Sequence, residues 1–415
     1  MVDDPYRLSA WARPSSYRIE LSPDLVNERF RGTVDISIDI SQPMDSLVLN
    51  SVDLQITSSN LDGNRALRVE FHPDTERVSF TPEDRIEVGT VQLHVEFEGE
   101  LNDKLLGFYR SKFNLKNPAT GTVSEQTIAV TQFESTHARR AFPCFDEPKM
   151  KATFSSALVI DPNLFAVSNG AEISRRNLPD GRVRIQFATT MVMSTYLVAF
   201  VVGPLKATEP RLVAGMERHI PLRVVYPPGS EKLCDFALDV AEAALKYFEN
   251  YYGIPYPGDK VDLVAVPDFA FGAMENLGCV TFREVLLLID PSESTQPELQ
   301  RVADVINHEL AHMWFGNLVT MDWWNGIWLN EAFATFMELT ASDAFRPDWD
   351  VWTNFGLART VAFDTDSLHS TRPIEFKVDS PADAEAMFDI LTYEKGASVV
   401  RMLEQYLGAE TFRLR

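Results

Sequence analysis

Residues 295–316, TQPELQRVADVINHELAHMWFG, decide how the second half of this chain folds. Their apolar side chains recur every three to four residues, which is the period of an amphipathic helix. Thr295 and Glu298 match a capping box with a proline between them, and Gly316 matches a helix stop signal. The sequence therefore predicts a helix over residues 296–315.

This helix contains the motif His308-Glu309-Leu310-Ala311-His312. Residues four apart share one helix face, with Cβ atoms roughly 6 Å apart, so the two imidazoles can bind one metal ion. Glu309 is offset from that face and could reach a water on the metal without being a ligand. A chance match to this motif is expected in on the order of one such chain in a hundred. Two solvated surface histidines are therefore the weaker interpretation.

The motif needs a third ligand, because a catalytic zinc takes three protein ligands and keeps a fourth position open. Glu331 is the candidate, with 18 residues between it and His312. A loop over residues 317–326 lets the next helix, predicted over 328–345, return antiparallel and bring Glu331 opposite the histidines. Glu338 lies two turns further along the same face and could orient a ligand imidazole. A solvated glutamate is the simpler interpretation of Glu338.

The first half of the chain has a β pattern. Apolar and polar residues alternate between Asp, Asn, Pro and Gly. Because no regular alternation of strands with long helices occurs, we expect antiparallel sheets. An uncharged stretch over 187–205 is rich in β-branched residues, and we interpret it as a buried strand and not as a membrane span. The alternating segments are 17–21, 33–40, 91–97, 153–160 and 182–187.

The spacing of the apolar residues changes after residue 203, where helical patterns begin to dominate. Besides the two helices above, we expect helices over 231–252 and 388–407 and strands over 261–266 and 280–289. The predicted fold class is therefore α+β. The predicted domains are 1–203 and 204–415.

Composition limits the partners. The net charge of −22 argues against binding of nucleic acid or of an anionic membrane, and suits a cationic group such as a peptide's N-terminal ammonium. Solubility is the plainer explanation of that charge. The first fourteen residues are charged and lack an apolar segment, so we expect no signal peptide. Three cysteines, odd in number and widely spaced, favour a reducing compartment, and we expect the cytoplasm.

A second motif, Gly272-Ala273-Met274-Glu275-Asn276, stands about thirty residues before the histidines. With both motifs, and Glu331 after an 18-residue spacer, the chain resembles the aminopeptidase N-type zinc aminopeptidases. That family includes the puromycin-sensitive and endoplasmic-reticulum aminopeptidases. The resemblance runs through nearly the whole chain, including AFPCFDEP at 141–148.

The resemblance implies an N-terminal antiparallel β-saddle domain followed by a thermolysin-like catalytic domain. Family members continue well past position 415, so we expect the catalytic domain to be incomplete and the chain to be a fragment or a truncated form. The chain departs from the family at Gly326, where many members carry Asp, and at Ala332, where most carry Gly. These departures put loop packing and helix approach in question more than catalysis.

The resemblance also implies the roles of single residues. One zinc ion would be held by His308, His312 and Glu331, with Glu309 as general base and Tyr393 stabilising the oxyanion. Glu275 would bind the substrate's α-ammonium with Glu134 as a second anchor, and the backbone of Gly272 and Ala273 would pair with the peptide. The remaining substrate-binding candidates are Asn276, from the same motif, and Gln132, Met274 and Phe388, which would line the pocket for the first side chain.

The chemistry of these residues agrees with that assignment. Glu134 and Glu275 near one metal would repel each other unless a cation lay between them, and a substrate ammonium is such a cation. Taken alone, each would be a surface acid, and Tyr393 a core aromatic. The hypothesis is a monomeric zinc aminopeptidase acting on peptides with a free N-terminus. The alternatives are an impaired fragment or scaffold, a thermolysin-like endopeptidase and an epoxide hydrolase.

Overall fold

The computed structural model describes residues 5–116 and 120–414. The chain separates into two compact units. The first unit contains Met1–Lys206, Val266–Ala270 and Asn276–Cys279, and the second contains Ala207–Ala265, Phe271–Glu275 and Val280–Arg415. Because two short later segments belong to the first unit, the domain boundary between residues 203 and 204 stays a prediction.

The first unit is built from strands. The strands are β1 (Ala12–Asp24), β2 (Arg29–Ile40), β3 (Leu47–Asn50), β4 (Gln55–Leu61), β5 (Arg65–Ala66), β6 (Arg68–His72), β7 (Arg77–Thr81), β8 (Gly89–Glu100), β9 (Gly107–Lys116), β10 (Val123–Gln132), β11 (Thr153–Ile160), β12 (Phe165–Ser168), β13 (Glu172–Asn177), β14 (Val183–Phe187) and β15 (Phe200–Gly203). Within the described residues they form an eight-stranded sheet in the order β13-β14-β11-β1-β2-β8-β4-β5, a four-stranded sheet in the order β12-β15-β10-β9, and a three-stranded sheet in the order β3-β7-β6.

The alternating segments of the sequence fall on strands β1, β2, β8, β11 and β14, as predicted. In β1, Tyr17, Ile19 and Leu21 are buried, whereas Arg18 between them is exposed. One face of the strand therefore lies on the core and the other does not, which is what a period of two residues requires.

The strands of the first unit pair mainly antiparallel, as expected, but one pair is parallel. Strands β1 and β11 run parallel, with partners from Ser16↔Thr153 to Leu21↔Leu158. A parallel pair needs a long crossover connection. Here strands β2 to β10 form that connection. Both paired strands alternate apolar and polar residues, as antiparallel strands do, so their sequences carry no sign of the parallel pairing.

The prediction of one buried strand over 187–205 is wrong. Strand β14 ends at Phe187 and β15 occupies only Phe200–Gly203. Between them Ser194 donates to the Pro148 carbonyl and Thr195 donates to the Phe145 carbonyl. Hydroxyl side chains that bond the backbone in this way compete with a strand ladder, and they hold the segment in an irregular buried turn.

The second unit combines a sheet with helices. Its strands are β16 (Lys206–Ala207), β17 (Arg211–Ala214), β18 (His219–Tyr226), β19 (Val261–Val266), β20 (Ala273–Met274) and β21 (Cys279–Arg283). Strand β18 pairs antiparallel with β17 and parallel with β19, and the sheet order continues through β21 to β20. The helices are α1 (Asp235–Tyr252), α2 (Gln296–Ala311), α3 (Ile327–Phe345), α4 (Val351–Asp366), α5 (Pro381–Glu385), α6 (Gly396–Leu407) and α7 (Ala409–Arg413).

The predicted helices exist, but several bounds differ. Helix α1 begins four residues later than 231, after a 3₁₀ turn, and β21 ends at Arg283 because another 3₁₀ turn follows. The helix expected over 388–407 splits into a π-helical turn, Leu391–Lys395, and α6. Helices α4, α5 and α7 were not expected, since α4 has apolar residues on both exposed and buried faces and the other two are short.

The departure at Ala332 is accommodated by a glycine on a neighbouring helix. A Cβ added to Gly396, the first residue of α6, would lie 2.6 Å from the Cβ of Ala332 on α3. Because Gly396 has no side chain, the two helices approach closely although Ala332 carries a methyl group. A side chain at position 396 would clash with Ala332, so the close approach of α6 to α3 depends on this glycine.

Among residues 5–116 and 120–414, no helix combines the length and the apolarity that crossing a bilayer requires.

Candidate metal centre

The helix that carries the two histidines begins at a capping box, as the sequence predicts. The Thr295 N–H donates to the Glu298 carboxylate at 2.8 Å, and the reciprocal contact closes the box. The helix ends at Ala311, earlier than expected, and the chain turns sharply at Gly316, whose φ is +135°. A Cβ on Gly316 would come within 3.1 Å of His312 Nδ1, so a glycine is required beside this histidine.

Three side-chain atoms from α2 and α3 converge at one point. The distances are 3.0 Å between the Nε2 atoms of His308 and His312, 3.2 Å from His308 Nε2 to Glu331 Oε2, and 3.4 Å from His312 Nε2 to the same oxygen. All three residues are buried. Two ligands about 2.0–2.1 Å from one ion lie about 3.3–3.4 Å apart at the tetrahedral angle, so the three atoms fit one tetrahedral ion.

The outer nitrogens of both imidazoles are fixed by acceptors. His308 Nδ1 lies 2.7 Å from Glu338 Oε2, and His312 Nδ1 lies 2.9 Å from the Phe315 carbonyl oxygen. A carbonyl or a carboxylate accepts but does not donate, so each Nδ1 carries the proton. Each neutral ring then directs the lone pair of its Nε2 atom at the point where the three side chains converge. Two lone pairs and a carboxylate oxygen in contact repel one another unless a cation binds between them, and the residues present therefore fit a metal.

The charges around this point are predominantly negative. At His308 burial acts to lower the pKa, but Glu331 and Glu338 outweigh it and raise the pKa well above its ordinary value. At Glu331 burial acts to raise the pKa, but His312 and then His308 outweigh it and lower the pKa. The surrounding carboxylates therefore favour a positive charge at this point, which a bound cation would supply while the imidazoles stay neutral.

Two further glutamates are buried beside the cluster. Glu275 Oε1 and Glu309 Oε2 lie out of contact with water and have no hydrogen-bond partner among the residues that the structure describes. Burial raises the pKa of both, and each carboxylate also interacts with His308, His312 and Glu331. A buried carboxylate oxygen without a partner is costly, so both acids are expected to meet a polar group or a cation during function.

Tyr393 and Phe388 follow α5 in the second unit. The Tyr393 ring stacks on the His308 ring, with centroids 5.9 Å apart and an interplanar angle of 24°. It lies on the π-helical turn Leu391–Lys395, a distortion that frequently occurs at functional sites. The half-buried Phe388 packs against Phe271, with ring centroids 6.2 Å apart.

The segment of the second motif occupies a sheet edge. Ala273 and Met274 form β20, which stands last in the order of the second unit's sheet and pairs with Phe282 and Thr281 of β21. The Gly272 carbonyl accepts from the Arg283 N–H at 2.9 Å.

Three predicted site residues belong to the first unit. Gln132 ends β10 and its side chain lies 3.4 Å from the Glu134 carbonyl oxygen, and both residues are buried. Asn276 belongs to a short segment of the same unit and is also buried. The roles of these three residues stay predictions.

Sequence reasoning missed several residues that fix the site. The buried Asn317 donates to the Glu275 carbonyl at 2.9 Å and so ties the second motif to the turn after α2. Its position directly after Gly316 was the available signal. The Phe315 carbonyl has no sequence signal at all, because every residue carries one. Glu338 was not missed: the sequence indicates that it could orient a ligand imidazole, although a solvated carboxylate was the simpler interpretation, and it contacts His308.

Comparison with known families identifies the class. A profile described as "Peptidase M1 N-terminal domain" matches residues 13–197, and one described as "Peptidase family M1 domain" matches residues 236–414. The chain belongs to peptidase family M1, which confirms the predicted resemblance. The family is one of metallopeptidases, which implies a metal cofactor, and the His-His-Glu cluster is a group that could hold it.

Similar proteins share this assignment. The chain is 42% identical over 418 residues to Aminopeptidase M1-A of Oryza sativa subsp. japonica, covering 98% of the chain and 46% of that protein. It is 43% identical over 405 residues to Aminopeptidase 2, mitochondrial, of Saccharomyces cerevisiae, covering 96% of the chain and 41% of that protein. It is 42% identical over 406 residues to the Alanine/arginine aminopeptidase of the same yeast, covering 96% of the chain and 46% of that protein.

The chain spans about half the length of the curated relatives it matches. Within that span the matches confirm the predicted fold class, a β-rich N-terminal part followed by a mixed catalytic part, apart from the parallel strand pair noted above.

Proposed function

We propose that this chain carries the catalytic machinery of a zinc-dependent aminopeptidase, which hydrolyses the first peptide bond of peptides with a free N-terminus. The observation that carries the proposal is the cluster of His308, His312 and Glu331, whose ligand atoms lie 3.0–3.4 Å apart with two buried glutamates beside them. Two imidazoles and one carboxylate in a tetrahedral arrangement are the donor set of a catalytic zinc. When bound, the ion supplies Lewis acidity and makes water a stronger nucleophile.

Glu309 is the proposed general base. It follows His308 directly but is absent from the cluster of ligand atoms, and its Oε2 has no partner among the described residues. Burial raises the pKa of Glu309 to about 8, while the two histidines act to lower it. A carboxylate whose pKa lies near the working pH can take a proton from water and later deliver it to the leaving amine.

Glu275 is the proposed anchor for the substrate's ammonium group. Its Oε1 is buried without a hydrogen-bond partner among the residues that the structure describes, and burial raises its pKa. An ammonium ion would supply a positive charge and form a charge-assisted hydrogen bond. Because Glu275 interacts with the metal ligands, an amine held there lies close to the metal, and only the first peptide bond can reach the base. Glu134 is proposed as a second anchor.

The remaining roles are proposals from the resemblance and from position. Tyr393 would donate to the oxyanion of the tetrahedral intermediate, and its stacking on His308 supports a fixed position for its ring. The backbone of Gly272 and Ala273 at the sheet edge would pair with the peptide as an added strand. Gln132, Met274, Asn276 and Phe388 are proposed to contact the substrate.

The cellular setting is also a proposal. The three cysteine thiols are buried, which supports a reducing compartment such as the cytoplasm. We also expect the chain to be a monomer.

A substrate cycle tests the proposal. The purified chain, loaded with zinc, should cleave a leucyl or alanyl amide, and N-acetylation of a peptide or the variant Glu275→Ala should each cost about 2–5 kcal/mol in kcat/KM. The two losses should not add, because they delete one interaction. Glu275→Gln, which keeps the shape of the side chain, is the control for folding.

Other outcomes contradict the proposal in different ways. Equal cleavage of the free and acetylated peptides would indicate an endopeptidase, and turnover of an epoxide alone would indicate an epoxide hydrolase. Stoichiometric zinc without turnover of any of these substrates would indicate that the chain is a scaffold with the peptidase fold.

A further inference from the structure

Polar pairs connect α2 and α3 at three successive levels. His312 faces Glu331, His308 faces Glu338, and one turn further along α2 Asp304 faces Ser342. The α2 members are spaced four residues apart, so they lie on one helix face. Two of these levels belong to the metal centre, whereas the Asp304–Ser342 level has no assigned role.

The third level is a complete hydrogen-bond chain. The Ser342 hydroxyl donates to Asp304 Oδ1 at 2.5 Å and accepts from the Asn307 side-chain amide at 2.9 Å. Ser342 is 0% exposed and Asn307 1% exposed. Asn307 directly precedes the ligand His308, so this chain of bonds is attached to the turn that carries the metal ligand.

Such a network is not explained by stability alone. Burial, and then the neighbouring Glu338, raises the pKa of Asp304 to about 7, which shows that its carboxylate is held at a cost. Buried polar groups can often be replaced by apolar ones without loss of stability. Their best-attested benefit is to fix one register between packed elements.

We propose that Asp304, Ser342 and Asn307 form a register clasp, whose three side chains set the position of α2 against α3 and so position the metal ligands. This inference rests on the proposed metal function. A slip of one helical turn shifts α2 by about 5.4 Å along α3. His308 would then lose Glu338 and move away from Glu331.

The clasp is tested by measuring zinc affinity and stability together. Ser342→Ala and Asn307→Ala remove a link, and each is expected to weaken zinc binding about tenfold in competition with a chromogenic chelator, the scale of losses around a metal site. The unfolding temperature without zinc should fall as well, because each variant leaves a buried polar partner unpaired, and Asn354→Ala measures the fall that loss of one bond of this network causes by itself. Asp304→Asn keeps an oxygen acceptor for Ser342 and should retain the zinc affinity of the unmodified chain.

Asn354→Ala is the matched control. Asn354 on α4 donates to Gln300 at 3.0 Å, and Gln300 reaches Asp304 at 3.4 Å, so this variant shortens the same network but leaves the α2–α3 link intact. Unchanged zinc affinity is expected. The clasp is overturned if Ser342→Ala and Asn307→Ala bind zinc as tightly as the unmodified chain, or if Asn354→Ala weakens zinc equally. Absence of stoichiometric zinc in the unmodified chain would instead overturn the proposed function, and the clasp with it.

Discussion

At the scale of single residues, the site separates two buried glutamates by their surroundings. Burial acts to raise the pKa of both Glu309 and Glu331. The two histidines outweigh this at Glu331, which they contact directly, but not at Glu309. One carboxylate is therefore held ionised, as a ligand must be, and the other can exchange a proton.

This difference predicts the result of Glu309→Gln. The variant should keep stoichiometric zinc, because Glu309 contributes no ligand atom, and should lose at least about a hundredfold in kcat, the usual scale for general acid–base catalysis. Metal analysis beside steady-state kinetics gives both values. Loss of zinc from the variant would place Glu309 among the ligands.

Tyr393→Phe concerns the transition state. The stacked ring is retained by phenylalanine, so only the hydroxyl changes. We expect kcat to fall by a factor equivalent to about 3 kcal/mol, as for other oxyanion donors, with little change in KM. An equal rise in KM would mean that Tyr393 contributes to substrate binding alone.

At the scale of elements, the parallel pair β18–β19 depends on a buried ion cluster. Asp262 lies opposite Arg223 in the register, 2.5 Å from its Nε, and 2.7 Å from Lys260 Nζ. Burial acts to raise the pKa of Asp262, but Lys260 and Arg223 outweigh it and lower the pKa. A lowered pKa in the folded state stabilises the protein above the ordinary value near 4, and this stabilisation is lost as the pH falls further.

Asp262→Asn should therefore destabilise the chain by about 3 kcal/mol at pH 7, because it leaves Lys260 buried without its carboxylate. Urea unfolding measures the change. The difference from the unmodified chain should shrink as the pH is lowered through the acid range. A constant difference at all pH values would show that packing, and not charge, is responsible.

The same scale shows what a sequence can and cannot predict. The bounds of β11 and β19, and of α3 to within one residue, follow from local periodicity, and the capping box at Thr295 fixes the start of α2. The histidines and Glu331 are predictable because helix geometry sets their spacing. The π-helical turn under Tyr393, the parallel β1–β11 pair and the Phe315 carbonyl depend on tertiary packing, which leaves no periodic signal.

At the scale of the whole molecule, the proposed metal ligands all belong to one of the two units. The three ligand atoms belong to the second unit. Zinc at about a thousand times its Kd should stabilise the state that binds it by about 4 kcal/mol. Removal of zinc by a chelator should therefore speed hydrogen exchange in α2 and α3 and leave β1 and β2 unchanged. Equal acceleration in both units would mean that they unfold as one.

The buried thiols allow the opening of the two units to be measured separately by chemical labelling. Cys144 and Cys279 lie in the first unit and Cys234 in the second, and all three are 0% exposed. Burial raises the pKa of Cys144 well above its ordinary value and that of Cys234 to about 12, so the reactive thiolate is scarce in the folded chain. Covalent labelling must then wait for an opening event. Each labelled peptide in a mass spectrum reports how often its own unit opens, without any engineered probe.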